Sequence, residues 1–367
     1  MPANSSYFVH SLLRARDWQH RPQLDDVCDW WRDGGCGVCA LIGMGGAGKT
    51  AVAERFLRRL PGGLPVIVDG HVIGGMGLPV DPQVDKDPSL PTPHSTFVFS
   101  FYDAPNADAF FESLQIWLEG TPRVETVLSF GQMGFLLQQW QGLIVLDGLE
   151  RVQEDGQRGE FGRLHSPRLR DFLNQVAGGN FSDLSVLVTS RFPLADLRDK
   201  NQAFFHPIPV NQIDIAAGVQ LLKDRGVRGT DPQLTPIVEQ CGRHALTVDF
   251  AGGYIAEYGQ GDPATPLDLG TAEELKAASE QDELDEDQRE VFRQGYRFAR
   301  IAEHYRDAML NKDEAAMALL ERICLFRLGV DAATLAAIFT GEQAVEVSGQ
   351  ALAALNAEQL QSKLDWL

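Results

Sequence analysis

The sequence predicts an α/β fold on a parallel sheet, followed by helical domains. Three observations carry that prediction. Short apolar runs, Val38-Cys39-Ala40-Leu41-Ile42, Leu143-Ile144-Val145-Leu146 and Val186-Leu187-Val188, read as strands buried on both faces, with segments of helical period between them. A glycine-rich stretch joins the first of these runs directly to a helical segment. From about Asn211 the strand signals stop and only helical spacing remains.

In chain order, Leu24, Val27, Trp30 and Trp31 share neighbouring faces of a first helix, which Asp33-Gly34-Gly35 ends. The Val38–Ile42 strand follows, then a helix over 49–60 with Val52, Phe56 and Leu60 on one stripe, stopped by Pro61-Gly62-Gly63. Residues 70–93 are rich in Gly and Pro and read as a surface excursion. Phe97–Phe101 alternates as a strand, and Phe110, Phe111, Leu114 and Trp117 mark a helix over 107–118. Helices are expected near 216–224, 234–241 and 245–258. Residues 273–290 carry nine acidic side chains against Lys276 and Arg289, the composition of a solvated helix or linker. Helical spacing resumes over 296–310 and 315–326, and continues at 335–339 and 352–364. The resulting division is an N-terminal linker and helix (1–36), an α/β domain (37–210), a helical domain (211–272), an acidic connector (273–290) and a last helical-type domain (291–367).

At 367 residues the chain is long enough for several cores, and 44% hydrophobic with 23% charged residues is an ordinary globular composition. The formal charge of −19 argues against a nucleic-acid or anionic-membrane partner, which would need clustered Lys and Arg. No run approaches the roughly 18 apolar residues of a spanning helix. The chain is therefore read as cytoplasmic, with its five cysteines as thiols. Cys36-Gly37-Val38-Cys39 has half a zinc site's spacing, but no second pair follows it.

The chemistry lies in three stretches. Gly43-Met44-Gly45-Gly46-Ala47-Gly48-Lys49-Thr50, between strand and helix, is the P-loop pattern. Gly43, Gly45, Gly46, Ala47 and Gly48 let backbone N–H groups surround a β-phosphate at a helix N-terminus, with Ala51 in the first helical turn. Lys49 is expected to reach the β- and γ-phosphates, and the Thr50 hydroxyl to coordinate magnesium. Asp147, ending a buried strand, is expected to hold the magnesium shell beside Thr50. It is preferred to Asp69, which runs straight into the Gly/Pro excursion. Glu150, three residues on, is placed to orient or deprotonate an attacking water, against the alternative of a solvated surface Glu. Arg191 is placed to set a guanidinium against the γ-phosphate, against an ordinary strand-end Arg. The predicted ligands are thus ATP or ADP with Mg2+.

The order Gly-Met-Gly-Gly-Ala-Gly-Lys-Thr, Leu-Ile-Val-Leu-Asp-Gly-Leu-Glu and Val-Thr-Ser-Arg-Phe-Pro-Leu resembles the NB-ARC and NACHT branches of the STAND signalling ATPases, bacterial type. Asp147-Gly148-Leu149-Glu150 is more similar to the NACHT spacing of acidic residues. The resemblance implies a P-loop NTPase domain, a helical domain and a winged-helix domain in that order. It also implies an Arg that frames the adenine, matched by Arg21 in His20-Arg21-Pro22-Gln23-Leu24. The helical-domain Gly-x-Pro motif resembles Gly242-Arg243-His244, with His244 at the proline position. No Met-His-Asp follows before Leu367, which implies a winged-helix domain cut short or a divergent lock.

On that resemblance the chain is expected to be a nucleotide switch in signal transduction, including antiviral defence. It would oligomerise under nucleotide control, hydrolyse ATP slowly, and belong to a longer protein with an effector or repeat domain. Two other readings stay open at this stage: a fast-turnover AAA-like ATPase or P-loop kinase, and a nucleotide-binding scaffold that never hydrolyses.

Overall fold

The computed structural model describes residues 6–10, 12, 18–61, 67–68, 71–72, 86–120, 124, 127–138, 140–155, 160–280, 286–326 and 330–366. Asp69 and most of the Gly/Pro excursion lie outside them. The chain divides into two units, Met1–Leu221 with Arg243–Leu246, and Leu222–Gly242 with Thr247–Leu367.

In the first unit, β1 (Ser6–Phe8), α1 (Pro22–Arg32), β2 (Gly37–Ile42) and α2 (Lys49–Arg59) come first. A small antiparallel pair, β3 (Ile67–Val68) and β4 (His71–Val72), lies apart from the main sheet. Then come β5 (Thr96–Ser100), α3 (Ala107–Glu119), α4 (Phe130–Gln138), β6 (Gly142–Asp147), α5 (Pro167–Val176), β7 (Leu184–Ser190) and β8 (Phe205–Pro209). Six strands form one sheet in the order β1-β5-β6-β7-β2-β8, and every pairing is parallel. Parallel strands require crossovers, and the intervening helices cover both faces.

Strand periodicity decides which face each side chain feeds. Val38 and Ala40 of β2 point with Phe97, Phe99, Ile144, Leu146, Val186 and Val188 into a core closed by α3, α4 and α5. Cys39 and Leu41 point with Val98, Leu143, Val145 and Leu187 to the opposite face, against α1 and α2. The continuous apolar runs therefore have one physical origin, a sheet buried on both sides.

Four elements of this unit go beyond the sequence reading. β1 pairs Ser6–Phe8 with Thr96–Val98, so the segment read as linker supplies an edge strand. β8 contains Pro207 and Pro209, which a central strand would not tolerate; as the other edge it needs pairing on one side only. α5 is capped by Ser166, whose hydroxyl accepts from Leu169 N, with Pro167 in the first turn. α4 carries Gly131 and Gly134, which weaken its helical signal.

Helices α6 (Ile215–Asp224), α7 (Asp231–Gln240) and α8 (Ala245–Tyr258) follow, with a Thr230/Gln233 capping box opening α7. α9 (Ala272–Ala278) opens on a second capping box, Thr271/Glu274. α10 (Glu286–Lys312) is 27 residues long and begins inside the stretch read as acidic connector. Its Glu290 is paired with Arg293 at 3.3 Å and Arg297 at 3.1 Å on the same helix, which offsets the local negative charge. α11 (Glu314–Ile323), α12 (Ala332–Phe339), α13 (Val345–Ser348), α14 (Gln350–Ala353) and α15 (Ala357–Trp366) end the description. Leu319, Leu335, Phe339, Leu352 and Leu360 form their shared core. Among the described residues no helix is long and apolar enough to cross a membrane.

Candidate functional site

β2 stops at Ile42 and α2 starts at Lys49, leaving six residues to turn the chain at the carboxyl edge of the sheet. The turn is built on glycine. Gly46 (φ 77°) and Gly48 (φ 95°) are left-handed, and a Cβ on Gly43 would run into the carbonyl of Val210. Gly43 N donates to Ser190 O at 3.1 Å, which ties the loop to β7. No side chain caps the first turn of α2, so its amides face the concavity of the loop.

Lys49 arches back across that concavity. Its Nζ donates to Gly43 O at 2.7 Å and Met44 O at 2.8 Å, and the residue is 5% exposed. Burial pushes the ammonium down to about 8; Glu150 and Asp147 oppose that shift, and Arg191 adds to it. A cation so short of compensation suits a polyphosphate.

Thr50 Oγ1 donates to Asp147 Oδ1 at 2.7 Å, and Thr189 Oγ1 donates to the same oxygen at 2.7 Å. Gly148 N in turn donates to Thr189 Oγ1 at 2.9 Å. Asp147 is 3% exposed, and burial raises its pKa against the two hydroxyls that lower it. A buried carboxylate touching a P-loop hydroxyl is the donor set a magnesium ion takes, all hard oxygen. Thr50 and Asp147 therefore fit that metal, with Ala51 behind them in α2.

Glu150 lies in a 3₁₀ turn (Leu149–Val152) just beyond β6, its side chain 5% exposed. Its Oε1 forms an ion pair with Arg191 Nε at 3.0 Å and accepts from the Tyr102 hydroxyl, and its Oε2 accepts from Arg191 N at 3.3 Å. It is not the solvated surface Glu of the rival reading. Arg191 also lies against the loop, since a Cβ on Gly45 would stand 3.0 Å from its Cζ. Gln153 fixes the turn carrying Arg191: its Oε1 accepts from Ser190 Oγ at 2.6 Å, and its Nε2 donates to Gly162 O at 2.7 Å and Pro193 O at 3.0 Å.

Arg21 and His244 reach the loop from outside the sheet. Arg21 is 7% exposed, donates through Nη1 to Ala47 O, and would stand 3.0 Å through Cζ from a Cβ on Gly48. Burial pushes its guanidinium down to about 10, opposed by Asp214. His244 is 3% exposed, with Nε2 3.0 Å from Gly45 O.

The structure thus brings Gly43, Gly45, Gly46, Ala47, Gly48, Lys49, Thr50, Asp147, Glu150, Arg191, Arg21 and His244 into one neighbourhood. Three participants lack a sequence prediction: Tyr102, Thr189 and Gln153. Thr189 sits inside the quoted Val-Thr-Ser-Arg stretch and carries a signal there. Gln153 shows none, and Tyr102, though within the Phe99-Ser100-Phe101-Tyr102-Asp103 stretch after β5, has no role readable from sequence, because both roles depend on which strand ends are adjacent.

No family model matches the chain, and no curated protein matches it. Among solved structures, a STAND signal-transduction ATPase with a tetratricopeptide repeat sensor, from Pyrococcus horikoshii, is similar over 96% of this chain at 11% identity and a TM-score of 0.46. This chain spans 40% of that protein's length. A Walker-type ATPase of Pyrococcus abyssi is similar over 97% of this chain and 92% of its own, at 11% identity and a TM-score of 0.40. The parallel sheet, the strand–glycine loop–helix turn and the hydroxyl–carboxylate pair beside it are the arrangement of a P-loop α/β fold.

Proposed function

We propose that the chain binds ATP and ADP with Mg2+ at the 43–50 loop and serves as a slowly hydrolysing switch of a STAND-type signalling protein. One observation carries the reading: Thr50 and Asp147, far apart in sequence, share a hydrogen bond at the mouth of a loop that Lys49 spans.

The amides of 45–50 and Lys49 hold the β- and γ-phosphates. Bound Mg2+ would supply charge neutralisation across those phosphates, held by Thr50 and Asp147. Glu150 orients water in line with the γ-phosphorus. The water oxygen bonds to that phosphorus, the bond to the β,γ-bridging oxygen breaks with its electron pair leaving on ADP, and the water proton passes to Glu150. Arg191, on the loop beside Gly45, senses whether a γ-phosphate is present.

As a switch, the chain must discriminate between its ligands. Reversing a closed-to-open ratio between extremes needs about 5.5 kcal/mol of differential affinity, and Lys49, Arg191 and the metal are the groups that can supply it. In this reading the ADP form stays closed through a winged-helix domain formed by the C-terminal helices. The ATP form assembles as a homo-oligomer and passes the signal to an effector or repeat domain. A cytoplasmic role in defence accords with the motif resemblance.

The test is titration with ATP and ADP with and without Mg2+, followed by sedimentation and proteolysis in each nucleotide. Tight binding that Lys49→Ala abolishes, with nucleotide-dependent assembly, supports the switch. Turnover at ~1–100 per second would instead indicate a motor or kinase.

A further inference from the structure

Tyr102 has no role assigned from sequence, yet its hydroxyl touches Glu150. It follows β5, whose continuation is fixed by the hydrogen bond from Phe101 N to Asp147 O at 2.8 Å. Its hydroxyl donates to Glu150 Oε1. Its ring covers Gly148, where a Cβ would come within 2.6 Å of the ring edge. The left-handed Gly148 (φ 76°) therefore gives the tyrosine a seat directly between Asp147 and Glu150.

The Glu150 carboxylate has two further contacts with Arg191: the guanidinium pairs with Oε1 at 3.0 Å, and the backbone N–H donates to Oε2 at 3.3 Å. Its side chain is 5% exposed while that of Arg191 is 51% exposed, so the arginine closes the carboxylate off from solvent. A water cannot be oriented by Glu150 while the guanidinium holds that place. A γ-phosphate on the loop competes for the same guanidinium, which already lies against Gly45. When the guanidinium turns to the phosphate, Oε2 keeps the Arg191 backbone N–H, while on Oε1 the Tyr102 hydroxyl takes over the restraint.

We infer that Tyr102 is a positioning residue for hydrolysis: its hydroxyl keeps the Glu150 carboxylate aimed at the attacking water once Arg191 has moved to the γ-phosphate. This rests on the hydrolytic reading above. Water still donates its proton to Glu150 and its oxygen to phosphorus, and Tyr102 only fixes where the carboxylate stands. A phenol is suited to that task. Burial and the adjacent Glu150 carboxylate raise its pKa, so it remains a donor throughout the physiological range.

The test is single-turnover hydrolysis by the full chain, with ATP affinity measured in parallel, in wild type, Tyr102→Phe, Glu150→Gln and the double variant. Phe keeps the ring on Gly148 and removes only the hydroxyl. The expected result is a catalytic rate about 10- to 100-fold lower in Tyr102→Phe, with unchanged ATP affinity and melting temperature. In the Glu150→Gln background the same change should add little, because the two residues act as one unit. An unchanged or faster rate in Tyr102→Phe, or a full additional loss in the double variant, overturns the inference. If wild type binds ATP and Lys49→Ala does not, that failure leaves nucleotide binding standing. If wild type binds no ATP, both readings fall.

Discussion

Thr50 Oγ1 donates to Asp147 Oδ1 at 2.7 Å, joining residues 97 positions apart at the ends of adjoining elements, α2 and β6. The pair places a hydroxyl and a carboxylate where one divalent ion can take both, and Thr189 orients the carboxylate from a third element. The first prediction follows from its charge.

Asp147→Asn keeps acceptor capacity for both threonines and removes the negative charge. The expected outcome is that Mg2+ no longer strengthens ATP binding, while metal-free ADP binding is retained. Titrations in Mg2+ and in EDTA check this; a metal enhancement equal to that of wild type would contradict it.

Lys49 gives a pH signature. Its folded value of about 8 lies below the ordinary 10.5, so between the two the unfolded chain holds more protons. Stability of the nucleotide-free protein then rises with pH across roughly 8 to 10.5, and below 8 the cost of the charged, buried lysine is fully present, about 3 kcal/mol. Lys49→Met should raise the melting temperature at pH 7 and flatten that slope.

A polyphosphate over the same lysine favours its charged form. Nucleotide binding near pH 8 to 9 is expected to take up a proton, and apparent affinity to fall as pH rises further. Calorimetry in buffers of different ionisation enthalpy reads the uptake directly; a binding heat at pH 8 to 9 that does not depend on the buffer would contradict it.

The two arginines separate by ligand. Arg191 meets the loop from the β7 end beside Glu150, so Arg191→Gln should weaken ATP by about 10-fold while sparing ADP. Arg21 supports the loop through the Ala47 carbonyl. Arg21→Gln should therefore weaken both nucleotides alike and lower the melting temperature, because a buried carbonyl loses its donor. Equal behaviour of the two variants would sink the distinction.

Much of this was legible in the sequence. The apolar runs at 38–42, 143–146 and 186–188 show where strands are buried on both faces, and the Gly43–Thr50 spacing shows where the chain must turn around an anion. Strand order was not legible, and with it went Tyr102, which meets Glu150 only because β5 lies beside β6. β8 was hidden by Pro207 and Pro209, whose cost depends on edge position, a property of the assembled sheet. Glu290 reads as solvated because its partners Arg293 and Arg297 lie one and two turns further along α10.

Arg21 and His244 both rest on carbonyls of the loop, one 26 positions before Ala47 and the other 199 after Gly45. The pocket is consequently not a cassette. A graft of 37–210 into a host scaffold would carry the glycines and Lys49 but leave the carbonyls of Gly45 and Ala47 without these partners. The smallest transferable piece runs from ahead of Arg21 to beyond Leu246, whose side chain packs on Gly46.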